Sequence, residues 1–231
     1  KKDGNDYPEK KIDILSKKNI TKIEFENILT KKVIDQEHIY INKIKNFKLT
    51  DNELFLNSLE VNNINYNFNN NQLIIKKGDY TLNENIIISP DIKTIIEKGT
   101  KFRLKKNISV LMQGDVYAEG TIDENISVVR YEKKNPFGTF AIIGKNSTSI
   151  VKLNNFIIEG GSEAIIQGMV FLGQLSIHNS KTEIINSKII GSTSDDGANI
   201  RDSYVEISNT VFLNNKSTSI WSANNFVDKF S

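Results

Sequence analysis

Chemistry in this chain would have to come from one acidic pair, a third aspartate and an arginine. Asp195 and Asp196 are followed closely by Arg201 and Asp202. Paired carboxylates bind Ca²⁺ through hard oxygen ligands, or serve as acid and base on a glycosidic bond. These four residues are therefore the candidate catalytic set. Asp195 and Asp196 are also the candidate metal ligands, with Ca²⁺ the one cofactor their chemistry would take. A local explanation competes: residues 194–197 read SDDG, a turn in which Asp bonds to nearby backbone. One Asp-Asp-Gly is a weak pattern, and the turn is the stronger account.

Other reactive types are isolated. His38 and His178 are the only histidines, and a metal site needs a cluster. His178 lies in a strand-like stretch and is expected to be a packed or surface residue. The chain has no cysteine, which removes disulfides, thiolate metal sites and thiol nucleophiles. It has no phosphate-binding glycine loop and no Gly-x-Ser-x-Gly elbow. Tyr117, Tyr131, Phe137 and Phe140 cluster around a loop and their rings could stack on a sugar; Tyr131, Phe137 and Phe140 are the candidate ligand-binding residues. The alternative is that they cover the flank of the fold.

The elements that must position these residues repeat. Segments 151–159 (VKLNNFIIE), 182–191 (TEIINSKIIG) and 205–214 (VEISNTVFLN) share one template: alternating apolar residues, an Asn, then a second apolar run. Asn155, Asn186 and Asn209 are 31 and 23 residues apart, and periods of about 20–50 residues mark solenoids. The spacing fits coils of a parallel β-helix. Equivalent Asn side chains would stack as a ladder, each amide donating to the next carbonyl and satisfying polar groups at a corner. The longer first interval predicts an outward loop between Gly160 and Gly173.

From Gln72 onward, short apolar runs alternate with turn residues, and Ser89, Pro90 and Asp91 make a corner. Before that the alternation is ragged. Ile23/Phe25, Ile39/Ile41, Leu54/Leu56, Leu59/Val61 and Ile64/Tyr66/Phe68 pattern as strands, although residues 16–29 also fit a short amphipathic helix. The expected fold class is all-β. An irregular β-rich segment occupies 1–70, a parallel β-helix 71–217, and a tail 218–231.

Ile (36) and Asn (30) dominate the 231 residues. Both suit a turn-rich β fold, and both are also what an AT-rich genome would encode. A net charge of +2 with only three arginines argues against a nucleic-acid partner. No apolar run reaches membrane-spanning length, and no signal peptide is visible in a sequence that begins at Lys1.

Two segments, 114–126 (GDVYAEGTIDENI) and 135–140 (NPFGTF), resemble bacterial right-handed parallel β-helix proteins, with Phe137 where that family usually has Trp. Segments 171–180 (FLGQLSIHNS) and 194–203 (SDDGANIRDS) narrow the likeness. They are similar to the β-helix that follows a spore-coat-protein-H-like kinase domain in a group of bacterial surface proteins. The likeness covers roughly residues 72–217 and, more loosely, the fifty before them. It implies a right-handed β-helix and an extracellular or cell-surface location. It carries no phosphotransfer, because the kinase portion is not in this sequence. Polysaccharide lyases on this fold use carboxylate-bound Ca²⁺ with an Arg or Lys base, the residue types of the 195–202 cluster.

Three functions from different classes follow, since such folds host many tasks. The first is a non-catalytic surface module presenting a lateral face to a glycan or a partner protein. The second is a polysaccharide lyase or hydrolase, and the third a structural subunit that assembles end to end. Dispersed charges favour the first. The tail carries Trp221, Phe226 and Phe230, which are expected either to cap the last coil or to form a self-assembly contact.

Overall fold

The computed structural model describes residues 25–26, 33–34, 51–216, 218–223 and 226–230. The chain divides into two compact units, 1–47 and 48–231. In the first, Phe25–Glu26 and Val33–Ile34 pair as antiparallel strands. The remainder of the helix alternative at 16–29, and the strand at Ile39/Ile41, lie outside the described residues.

The second unit is mostly β. Its strands fall into three sheets that the chain visits in a fixed order, adding one strand to each sheet per circuit. Sheet one holds Tyr66–Asn69, Gln72–Ile75, Lys93–Ile96, Val116–Glu119, Ile150–Asn154, Lys181–Ile185, Tyr204–Ser208 and Phe226–Phe230. Sheet two runs from Asp79–Leu82 to Val211–Leu213, and sheet three from Ile86–Ile88 to Thr218–Ala223. All neighbours are parallel except Tyr66–Asn69 on Gln72–Ile75. Alternate side chains point inward, and register stacks them in rows such as Ile75, Ile96, Ala118, Leu153, Ile184 and Ile207. These belong to one continuous core. The inward rows are largely apolar while the outward positions of sheet one alternate with them and stay partly exposed, as a strand with one face on the core requires.

The corners explain the asparagines. Twelve described non-glycine residues have positive φ, and nine are Asn. Asn bears the left-handed conformation better than other L residues because its short side chain bonds locally. Sheet one hands over to sheet two at Asn155 (φ 45°), Asn186 (51°) and Asn209 (47°). Sheet three hands back to sheet one at Asn179 (57°) and Asp202 (51°). Corner hydroxyls add a second device: the Ser187 Oγ accepts the Phe156 N–H at 3.1 Å, and the Ser203 Oγ accepts the Ser180 N–H at 3.1 Å.

The outward loop expected between Gly160 and Gly173 is an antiparallel hairpin, Ala164–Ile166 and Met169–Phe171. Gln167 and Gly168 both have positive φ (50° and 79°), as a two-residue type I′ turn demands. Ile166 and Phe171 pack on Leu111 and Ala141, outward-facing residues of sheet three. Ile165 and Val170 face solvent, 74% and 52% exposed.

One expectation needs correction. The strands read at Leu54/Leu56 and Leu59/Val61 are instead one α-helix, Asp51–Val61. Its buried pair is Phe55 and Leu59, four apart and so on one helical face. Residues 50–53 (TDNE) also carry a capping-box pattern. Phe55, Leu59 and Ile64, which precede the boundary expected at 70/71, join the core of the sheets, and the two compact units divide at 47/48. Within the expected tail 218–231, the described strands join the sheets. Thr218–Ala223 pairs with Asp196–Arg201, and Phe226–Phe230 with Tyr204–Ser208. The capping role of the Trp221, Phe226 and Phe230 side chains lies outside the described residues.

Candidate functional site

Asp196 opens the strand Asp196–Arg201 and Arg201 closes it. At roughly 3.3 Å per residue their backbones lie about 16 Å apart, yet the Arg201 charge still acts on the Asp196 carboxyl, against the effect of burial. Asp202 is the exposed corner residue after that strand, in the place Asn179 holds one circuit earlier. Asp195 is exposed, while Asp196 is only 5% exposed. Of the candidate set, Asp195 and Asp202 are thus exposed and Asp196 is buried. Among the described residues no three His, Cys, Asp or Glu side chains gather as a metal set.

Asp196 is bound up elsewhere. The Asn199 Nδ2 donates to its Oδ2 at 2.8 Å, and the Asn199 Oδ1 faces the His178 Nε2 at 3.4 Å. With its amide committed to the carboxylate, Asn199 offers His178 an acceptor, which selects the Nε2–H tautomer. Phe171 of the hairpin stacks on the imidazole, ring centroids 5.5 Å apart. Burial lowers the His178 pKa below 6.5, against the favourable bond to Asn199. It raises that of the Asp196 carboxyl above 3.8. Both groups are thus biased toward their neutral forms, as desolvation dictates. His178, read from sequence as a solitary residue, belongs to this relay. Applying the 23-residue interval to all of 171–203 would have paired its strand with that of Asn199, since Ser176 registers with Asn199 and His178 with Arg201.

The candidate aromatic residues part company. Phe137 and Phe140 are fully buried, the latter packed on Phe156 at 5.5 Å. Neither ring is presented to a ligand. A Cβ on Gly161 would come within 2.5 Å of the Phe137 ring, so the chain there closes over it. Tyr131 is 49% exposed, with the Lys105 ammonium 5.7 Å from its ring centre.

Side chains stack at the Asn corner as well. The Asn209 Nδ2 donates to the Asn186 Oδ1 at 3.4 Å, but the Asn186 Nδ2 donates to Asn154 rather than Asn155, at 3.3 Å. Asn154 also takes the Asn155 amide, at 2.9 Å.

The outer face of sheet one carries a pattern the sequence reading missed. Register sets Tyr117, Lys152, Glu183 and Glu206 in one row, with Lys181 beside Tyr204. Lys152 and Glu183 are ion-paired at 3.2 Å. Lys93 caps the Tyr117 ring at 4.5 Å, and Lys181 the Tyr204 ring at 5.8 Å. Such contacts hold ammonium groups over aromatic faces.

Compared with family models, curated proteins and solved structures, the chain matches none.

Proposed function

We propose that residues 72–217 are a right-handed parallel β-helix of the bacterial kind the sequence resembles. We further propose that it acts outside the cell, or on its surface, as a non-catalytic module offering a lateral face to a glycan. The observation that carries this is the outer face of sheet one, where tyrosines, lysines and glutamates alternate across four successive strands. Tyr presents an apolar ring with a polar tip, and the charged neighbours supply donors and acceptors for hydroxyl groups. The Asp196 carboxylate, 5% exposed and bonded to Asn199, is closed to a polymeric substrate, which weighs against a lyase or hydrolase.

A glycan array tests the module, with Tyr117→Ala and Tyr204→Ala expected to lose the signal. Incubation with uronate polymers, followed by absorbance of the unsaturated product, tests the enzyme. Product formation would replace the proposal with a lyase. An array left unchanged by both tyrosine variants would move the binding face elsewhere.

A further inference from the structure

A groove of about 320 Å³ opens beside that face, at the corner where sheet three returns to sheet one. Its volume is at the lower end of ligand pockets, which run from about 300 to 1,000 Å³. The chemistry of its wall is balanced. Asp91 and Lys145 form an ion pair on one side. Asp115 accepts the Ile150 N–H through Oδ1 at 3.0 Å, and its Oδ2 has no partner among the described residues. Lys93, held over Tyr117, supplies a second ammonium.

Neutral donors complete the wall. The Asn146 Oδ1 accepts both the Thr148 N–H (2.9 Å) and the Thr148 hydroxyl (2.6 Å), which fixes the amide plane. Its Nδ2 has no partner among the described residues. Ser149, only 7% exposed, lines the groove and accepts the Asn146 N–H through Oγ at 3.4 Å, so its own proton remains to be donated. The corner is tight: a Cβ on Gly114 (φ 120°) would meet the Ile92 carbonyl oxygen at 2.8 Å.

We infer that this groove is the subsite for a neutral, hydroxyl-rich sugar. The inference rests on the glycan-module proposal and narrows it. Two carboxylates and two ammonium groups cancel, so neither sign of ligand charge is favoured. A uronate carboxylate drawn to Lys93 or Lys145 would also face Asp91 and Asp115, and an amino-sugar cation drawn to the aspartates would also face the two lysines. A hydroxyl donates and accepts at once, and vicinal hydroxyls can bridge an Oδ2 acceptor and an ammonium or amide donor. Like-charge contacts are what exclude the charged sugars.

The test is titration of the whole chain with methyl glycosides of glucose, galactose and mannose, with methyl glucuronide and methyl glucosaminide as charge controls. At least one neutral glycoside is expected to bind, at least fivefold tighter than either control. Asp115→Asn keeps the Ile150 contact and should weaken the neutral sugar about tenfold while favouring the glucuronide. Lys145→Gln should shift preference toward the glucosaminide. Melting curves matching the native chain exclude misfolding as the cause. No neutral glycoside binding, or binding unchanged in both variants, overturns the subsite. Array binding of longer glycans that persists in both variants would leave the module proposal standing without it. A native chain that binds no glycan at all ends both.

Discussion

Asn199 donates its amide to the Asp196 carboxylate at 2.8 Å, and both side chains are all but closed off from water, at 1% and 5% exposure. Removing Asn199 strands a buried carboxyl oxygen, and an unsatisfied buried acceptor costs about 1–3 kcal/mol, more when charged. Asn199→Ala should therefore lower unfolding stability by at least about 2 kcal/mol in urea titrations. Asp195→Ala, at the exposed neighbour, should stay within about 0.5 kcal/mol. Equal effects would remove the buried pair from the account.

The same relay gives a pH signature. His178 has its folded pKa lowered below 6.5 by burial. As pH falls below 6.5 the unfolded chain takes the proton first, so stability is lost until the folded pKa is reached. Asp196, raised above 3.8 by burial, works in the opposite sense. Stability falls as pH rises from 3.8 to its folded value and is level above it. His178→Asn should flatten the stability profile just below pH 6.5, and Asp196→Asn the rise toward lower pH. Profiles that keep their slopes in these variants would assign the dependence to other groups.

How much of this was legible follows from what each residue depends on. The β character and the repeat were readable because left-handed corners select Asn wherever they fall, as at Asn186 and Asn209. The helix Asp51–Val61 was not, since eleven residues of mixed polarity let a two-residue alternation through Leu54 and Leu56 compete with the Phe55/Leu59 pair. Leu111 and Ala141 are buried on the outer side of sheet three only because a hairpin from Ala164–Ile166 and Met169–Phe171 lies on them. Local pattern cannot foresee that cover. The Asp196–Asn199–His178 relay needs strand register, which places Ser176 beside Asn199.

That helix supplies a third prediction. Leu59 is fully buried against the core, and the neighbouring Asn62 side chain accepts the Asn83 N–H at 2.7 Å while donating to the Ser58 carbonyl at 2.8 Å. Leu59→Ala should cost about 2–5 kcal/mol, the range for a buried leucine. Asn62→Ala should cost about 1 kcal/mol by removing the acceptor of the Asn83 and Glu84 N–H groups. Val61→Ala, at a 42% exposed position, should be nearly silent. Amide exchange at 83–84 would respond to Asn62→Ala and not to Val61→Ala if the contact holds that segment.

The corner asparagines give the last prediction, which separates backbone conformation from side-chain bonding. Asn186 has φ 51° and receives the Asn209 amide at 3.4 Å on its Oδ1. Ala and Gly both abolish that bond, so any difference between them is conformational. Left-handed backbone costs a residue with a Cβ roughly 1–2 kcal/mol and glycine almost nothing. Asn186→Gly should therefore be about 1 kcal/mol more stable than Asn186→Ala. One circuit earlier, Asn154 closes the strand Ile150–Asn154 and lies outside the positive-φ set. It accepts the amides of Asn155 and Asn186. There the order should invert, because glycine in a strand loses more backbone entropy than alanine. Thermal melts of the four variants decide it: the same ranking at both positions would mean that the amide contacts, not the left-handed corners, are what asparagine is there to provide.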